Sequence, residues 1–400
     1  MIHIIGAGFS GLTLAWELQK AGLKVTLYEK NQIGGLIQTI TTATHLREMA
    51  ANGLLWTPRL EQLAKELEVE FLASQKISRK RFIFRDGKAQ RWPLNLSETF
   101  CLVSKLVKFL FFRSKVDTNL TLSAWSEKNF GQKFTDYFLT SAVRGIFALP
   151  ATKLNAKAVL DSFKAVTEFK KAKKYKPTTY APPKGMGQLI QTLKVKLIEK
   201  NVQILQQEIK NLSDLTLKNK DAIVIATAAW DAASLLPQTQ IKNIEAVPLI
   251  SATLVWPKET PTLDGFGCLF PPSEKFFSAG VLVNSCIFSG RGPNPSETWI
   301  ISQDPNGFSD EQIKKALLND RQKLFVNFGE PSECHITRWP KAIPAYNQQL
   351  NSFLAHQDEM ANSLASENIF LSGNYLGKIG LAKIYDQNII LAEKLKAKYG

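Results

Sequence analysis

Apolar and polar positions change period several times along the chain, and each change predicts an element. The opening "IHII" (2–5) is short, apolar and β-branched, as suits a strand buried on both faces. "LTLAWELQKAG" then runs at helical period, and "KVTLYE" returns to strand, ending on Glu29. Far downstream, "NVQILQQEIKNL" and "DAIVIATAAWDAASLLP" predict strand, strand and a helix stopping at Pro237. "NIFLSGNYLGKIGLAKIYDQNIILAEKLKAK" predicts a buried strand, a Gly-Asn turn and a closing helix from about Leu381. Between these pieces, "RFIFRDGKAQRW" predicts a hairpin turning at Asp86–Gly87, and residues 248–303 are strand-rich with Pro and Gly clusters. "LSAWSEKNFGQKFTDYFLTSAVRGIF" is helical and amphipathic. The expected fold is α/β. A Rossmann-like domain is assembled from 1–75, 182–247 and 335–400, with a mixed-sheet domain inserted at 76–95 and 248–334. A helical region occupies 96–181.

The first strand-to-helix turn carries candidate chemistry. Gly6, Gly8 and Gly11 are spaced G-x-G-x-x-G, which suits a tight turn, a close approach of phosphate to backbone, and close helix–strand packing. Free N–H groups and the helix dipole then favour an anion at that point. Glu29, 18 residues after Gly11, can accept hydrogen bonds from two ribose hydroxyls. A glycine-rich turn in an unliganded α/β protein is the alternative, but strand, helix and acidic residue in register favour a dinucleotide. A second pair, Gly34–Gly35, allows another close backbone approach.

Composition adds one unusual number. Apolar content of 44% and charged content of 21% are those of a globular chain, but the net charge is +15, with 50 basic residues against 35 acidic. Such a field attracts anionic partners. The charge concentrates at 76–91, 105–115 and 164–176, none matching a nucleic-acid motif, so no nucleic acid is expected and a solvated basic face is the plain reading of each run. The stretch "FCLVSKLVKFLFFRSK" (100–115) sets Leu102, Val103, Leu106, Val107, Phe109, Leu110, Phe111 and Phe112 against Ser104, Lys105, Lys108 and Lys115. It is too short and too charged to span a bilayer, but suits a helix lying in an anionic interface or one buried in the inserted domain. The cysteines Cys101, Cys268, Cys286 and Cys334 show no ligand spacing, and the four histidines show no H-x-x-x-H, so no metal site is expected. The apolar run Ile4–Trp16 has no preceding basic residue or small-residue cleavage site, so a reducing, cytoplasmic location is expected, peripheral on a membrane.

The chain resembles a family at points spread along its length. Glu29, a short spacer and Gly34–Gly35 look like the flavoproteins that include amine oxidases and protoporphyrinogen oxidases, and this implies FAD rather than NAD. The run from "LSAWSEKNF" to "ALPATKLNAKAVL", then "KGMGQLIQTL", "GFGCLFPPSEKFFSAGVLVNSCIFSGRGP" and "RWPKAIPAYNQQL", resembles the oxygen-dependent protoporphyrinogen oxidases in order. The resemblance implies cofactor contacts at Gly6, Gly8, Phe9, Ser10, Gly11, Glu29, Lys30, Gly34, Gly35 and Thr39. It adds a strand residue near Ile209 beside the adenine, Thr227 in the "ATA" turn, Trp339 against the flavin, and Gly373, Asn374, Gly380, Leu381 and Ala382 at the closing helix. Leu269 and Leu282 match positions lining the substrate cavity, although sheet-core leucines would read the same.

Departures fall mainly on the substrate side. Leu36 replaces the usual Arg after the glycine pair, and the Arg some members use for a substrate propionate is absent from "WPLNLSETF", leaving Arg91 as its substitute. Ser302 or Gln303 stands where an aromatic is usual, and "DPNG" replaces the following Gly-Gly. The resemblance implies oxidation of a porphyrinogen, with hydride passed to flavin N5, oxygen as acceptor, and no catalytic side chain, because the flavin carries the chemistry. Protoporphyrinogen is the leading substrate. A coproporphyrin-forming coproporphyrinogen oxidase, a more distant amine-oxidase-like enzyme, and a non-catalytic binding protein of the Rab GDP-dissociation inhibitor kind are the alternatives.

Overall fold

In the computed structural model, residues 1–111, 117–171, 178–302 and 306–400 are described, without the side chains of 108–111 and 164–171. Five parallel strands form one sheet, in the order Gln203–Gln206, Val25–Glu29, Ile2–Ile5, Ala222–Ile225, Ile369–Leu371. Alternate residues of these strands enter two different cores, as the period of two requires. Ile2, Ile4, Val25, Leu27, Ala222 and Val224 join Leu12, Leu189 and Leu193 on one face. Ile5, Ile223, Ile225 and Ile369 join Ala229, Leu235 and Leu122 on the other. The helices Phe9–Lys20 and Leu381–Tyr399 pack on the first face, joined by Tyr385 Oη donating to Glu17 at 2.6 Å.

Seven strands form the second sheet, in the order Glu333–Pro344, Ala246–Val255, Ser296–Ile301, Gly280–Val283, Gly267–Leu269, Phe82–Arg85, Lys88–Gln90. All its pairings are antiparallel except Gly267–Leu269 with Phe82–Arg85, which makes it the expected mixed sheet. Asp86 and Gly87 turn its edge hairpin with φ of 52° and 76°, the left-handed pair a two-residue turn needs. The back face is closed by the helix Asp310–Gln322 over Trp256, Phe270 and Trp299, with Arg321 and Glu297 forming a buried ion pair at 2.9 Å.

The intervening region is helical, as expected, with helices Leu96–Phe111, Leu122–Phe130, Thr140–Phe147 and Ala156–Lys171. Among the described residues no helix is long and apolar enough to cross a membrane. One expectation needs correction. The strand predicted near Ile209 ends at Gln206, and Ile209 lies beyond it in a loop, packed in the core with Ile5, Leu215 and Ile223. Gln207 makes the last backbone bond to Glu29, and the chain then leaves the sheet so that Ile209 enters the core.

Candidate cofactor and substrate site

The cofactor residues gather where adjacent parallel strands end. Gly6 turns out of the first strand with φ of 102°, and a Cβ there would lie 2.9 Å from the Ala226 carbonyl and 3.1 Å from the Thr227 side chain. A Cβ on Gly11 would lie 1.9 Å from the Gly6 carbonyl, so only glycine lets the helix seat on its strand. Gly8, by contrast, has nothing within 4 Å of its Cβ direction, and Gly35 faces only the Gly8 Cα. That open space lies at the start of the helix Phe9–Lys20, where no side chain caps the free N–H groups and no acid stands in the first turn. It is a cradle that side chains would fill and a phosphate fits. The second glycine pair closes on it, since Gly34 N–H donates to the Ala7 carbonyl at 2.8 Å.

Glu29 sits at the end of the neighbouring strand, 9% exposed. One carboxylate oxygen accepts from Ala7 N–H and the other from Asn31 N–H, both at 2.8 Å, so this residue shapes the glycine loop. Lys30 is engaged with Asp231 at 2.8 Å. The Phe9 side chain lies in the core, leaving only its backbone at the cradle. On the other side, Gly373 approaches Thr227, and Gly380 begins the closing helix, again with no side-chain cap and open space around it. Leu381 and Ala382 form that helix's first turn.

Ser372, Asn388, Glu48 and Arg291 were missed from sequence, and they support the expected Ser10 and Thr39. Ser10 meets Ser372 at 2.6 Å, Ser372 donates to Asn388 at 2.5 Å, and Asn388 donates to the Ser10 carbonyl and Thr13 at 2.8 Å. This buried network ties the glycine-loop helix to the closing helix. Glu48 is the second support. It accepts from Thr39 at 2.5 Å, from Met186 N–H at 2.9 Å and from Arg291 at 2.9 Å, although burial pushes its carboxyl above the usual range. Thr39 also accepts from Gly187 N–H at 2.8 Å, so it docks the hairpin Thr39–Thr41/Leu46–Glu48 on the helix Met186–Glu199.

Lys383 is the odd charge. It is 9% exposed, donates to the Ser162 carbonyl, and burial with repulsion from Lys378 pushes its pKa down to about 8. Because the unfolded chain binds this proton up to the ordinary lysine value of 10.5, folding is favoured as pH rises from about 8 to 10.5. The parent should therefore gain up to about 3 kcal/mol over Lys383→Met across that window. Parallel denaturation of the two at several pH values checks this, and identical pH slopes would mean the lysine is well solvated.

The face expected to meet the substrate is the front of the seven-stranded sheet. Leu269 stands opposite Gly280, Leu282 opposite Thr298, and Thr298, Thr253 and His335 continue the row. Leu282 packs toward the cofactor sheet's core, and Leu269 faces Gly145 on the helix Thr140–Phe147, where a Cβ would come within 3.2 Å. Both are half-buried on this inner face, opposite the Trp299 core. Trp339 lies on the same sheet and donates to the Met49 carbonyl at 3.2 Å. Arg91 is not brought to this row. It is exposed beyond the edge strand Lys88–Gln90, while Arg85 is held by Glu98 at 2.6 Å and the Pro93 carbonyl at 2.7 Å. Gln303 and the start of "DPNG" lie outside the described residues; Ser302 is described, and its buried Oγ has no partner among the described residues.

A glycine cradle at the carboxyl ends of parallel strands, with an acidic residue on the next strand and a second glycine pair across it, defines a dinucleotide-binding protein of the flavoprotein class. The model of the flavin containing amine oxidoreductases matches residues 9–378, and the chain belongs to that family. It is an FAD-dependent oxidoreductase, and the open space at Gly8 and Gly380 fits that cofactor. Protoporphyrinogen oxidase 2 of Arabidopsis thaliana is 25% identical over 96% of this chain and 91% of its own length. Coproporphyrinogen III oxidase of Bacillus subtilis is 20% identical over 96% of both chains. A crystal structure from Exiguobacterium sp. 255-15 shares the fold at a TM-score of 0.80 and 14% identity, covering 99% of this chain and 98% of that one.

Proposed function

We propose that the protein oxidises a porphyrinogen to a porphyrin, with protoporphyrinogen as the leading substrate and coproporphyrinogen as the second. The observation that carries this reading is the inner face of the mixed sheet, where the half-buried Leu269 and Leu282 flank Gly280 and supply apolar wall beside the helix that packs on Leu269 at Gly145. A flat, greasy ring suits such a surface, and the similarity to both kinds of porphyrinogen oxidase runs along nearly the whole chain. Bound FAD would supply the hydride acceptor, with oxygen as the final oxidant. The chain's own part is to hold and orient. Glu29 would bind the adenosine ribose, the uncapped helix starts at Phe9 and Leu381 would face the pyrophosphate and the flavin ring, and Trp339 would lie against the flavin. Arg91, the propionate contact that the resemblance implies, stands exposed beyond the edge strand Lys88–Gln90 and would meet a propionate only at the rim of this face. The test is turnover of protoporphyrinogen and coproporphyrinogen side by side, followed by porphyrin fluorescence on the yellow, FAD-loaded protein. Absence of turnover on both would overturn the proposal, and a preparation that FAD cannot reconstitute would favour a binding protein.

The same reading includes peripheral membrane contact. On the helix Leu96–Phe111, Leu96, Phe100, Val103 and Val107 form an exposed stripe next to the exposed Trp92, and Phe100 is 78% exposed. This described part of the stripe does not sit in the inserted domain's core. The side chain of Phe109 and all of Phe112 lie outside the described residues. Each apolar side chain fully desolvated in a bilayer contributes about 1.5–3 kcal/mol, and the basic flank adds about 1 kcal/mol per charge near an anionic leaflet. Phe100→Ser with Val103→Ser should release the protein from anionic vesicles at low salt while the flavin stays bound. Equal sedimentation of parent and variant would assign the stripe to a protein partner instead.

A further inference from the structure

At the edge of the seven-stranded sheet, where the row from Leu282 through Thr298 and Thr253 ends, His45, Glu333 and His335 form a cluster whose ligand atoms all lie within 4.8 Å of one another. We propose that these three residues bind a divalent transition-metal ion of the zinc type, clamping the cofactor-side hairpin to the edge strand of the substrate sheet. The proposal is independent of which substrate the flavin oxidises.

The geometry comes from two distant pieces of chain. Glu333 and His335 are two apart on the strand Glu333–Pro344, so both project from one face, while Cys334 between them turns to the opposite core. His45 comes from the turn of the hairpin Thr39–Thr41/Leu46–Glu48. Its backbone is pinned there, because Leu46 N–H donates to the Arg291 carbonyl at 2.8 Å and a Cβ on Gly292 would lie 2.5 Å from the His45 Cα. Glu333 lies 2.8 Å from His335 Nε2 and 3.7 Å from His45 Nδ1. The two imidazoles stack with centroids 5.1 Å apart.

A second observation points to a missing partner. The His45 side chain is fully buried; its Nδ1, the nitrogen nearest Glu333, lies 3.0 Å from the Thr42 hydroxyl and 3.1 Å from that of Thr44, and among the described residues its Nε2 meets no polar atom. A buried nitrogen without a partner is costly. Thr44 also donates to Glu333 at 2.6 Å, so hydroxyls orient two of the three ligands as supporting groups do in metal centres. Two imidazoles and one carboxylate suit zinc and its neighbours rather than magnesium or calcium, which need more oxygens. His335 and Glu333 are 30% and 29% exposed, which leaves an entry path and room for water ligands. Small side-chain rotations would bring ligand atoms to the spacing of about 3–3.5 Å that tetrahedral bonds of about 2 Å require. Arg47 opposes the cation, since its charge acts on both His45 and Glu333. Removing that charge should tighten binding.

The experiment uses untagged, FAD-loaded protein stripped with a chelator, then dialysed against graded zinc and assayed by elemental analysis and calorimetry. One saturable zinc per chain is expected. Affinity should fall at least tenfold in His335→Ala and Glu333→Gln and rise severalfold in Arg47→Gln, with the flavin absorbance unchanged in all three. Zinc should also raise the melting temperature of the parent but not of His335→Ala. Failure to bind, equal binding of magnesium, or zinc binding that His335→Ala leaves intact would overturn the site. The gain expected in Arg47→Gln cannot arise from misfolding, so its absence, with the other variants weakened, would also count against the proposal.

Discussion

Glu48→Ala is expected to destabilise the protein by about 3–5 kcal/mol, the cost of leaving one member of a buried ion pair uncompensated. The Glu48 and Arg291 side chains are 2% and 4% exposed, so solvent screens neither. Alanine would also orphan the Met186 N–H and the Thr39 hydroxyl, and with them the seating of the hairpin on the helix Met186–Glu199. Chemical denaturation of the FAD-free protein would read the loss directly. A Glu48→Gln/Arg291→Met double variant should recover much of it, since a neutral buried pair carries no unpaired charge. A loss below about 1 kcal/mol for Glu48→Ala would mean that water reaches Arg291 and the pair is a surface one in effect.

Glu29→Ala should show two separate losses. Each charge-assisted hydrogen bond to a ribose hydroxyl contributes about 1.5–3 kcal/mol, so FAD should dissociate roughly ten- to a hundredfold more readily per bond removed. The FAD-free protein should also lose about 1–3 kcal/mol, because the buried Ala7 N–H would lose its acceptor. Dialysis followed by flavin absorbance measures the first effect, and denaturation of the apoprotein measures the second. A variant that is less stable yet keeps FAD as tightly as its parent would restrict Glu29 to shaping the loop.

What could be read from the letters was what the backbone decides locally. Gly6 and Gly11 announced the cradle because a turn and a close approach within a few residues require them, and Gly8 because it leaves the space before the helix open. The hairpin at Asp86–Gly87 and the closing helix from Leu381 were legible for the same reason. Ile209 falls outside the strand expected for it because nothing in "QILQQEIK" marks where an edge strand stops, and its side chain packs in the core with Leu215 and Ile223 instead. The contacts that hold the site together were invisible. Ser10, Ser372 and Asn388 meet across more than 360 residues of chain, as do Glu48 and Arg291 across 243. No local spacing encodes such meetings. The amphipathic helix stands between these cases: its two-sided character was plain, but which side faces outward had to come from the fold.

The order of strands in the parallel sheet has a consequence for synthesis. Ile2–Ile5 needs Ala222–Ile225 beside it, and that strand in turn needs Ile369–Leu371. A ribosome adds about 5–20 residues per second, so the first strand waits on the order of ten seconds or more for its central partner, and longer for the last. During that interval the glycine loop exists without the turn at Thr227 or the helix from Leu381 that complete its far wall. Truncated or nascent chains should therefore be unable to retain FAD, and cofactor capture would report that translation has reached the final helix.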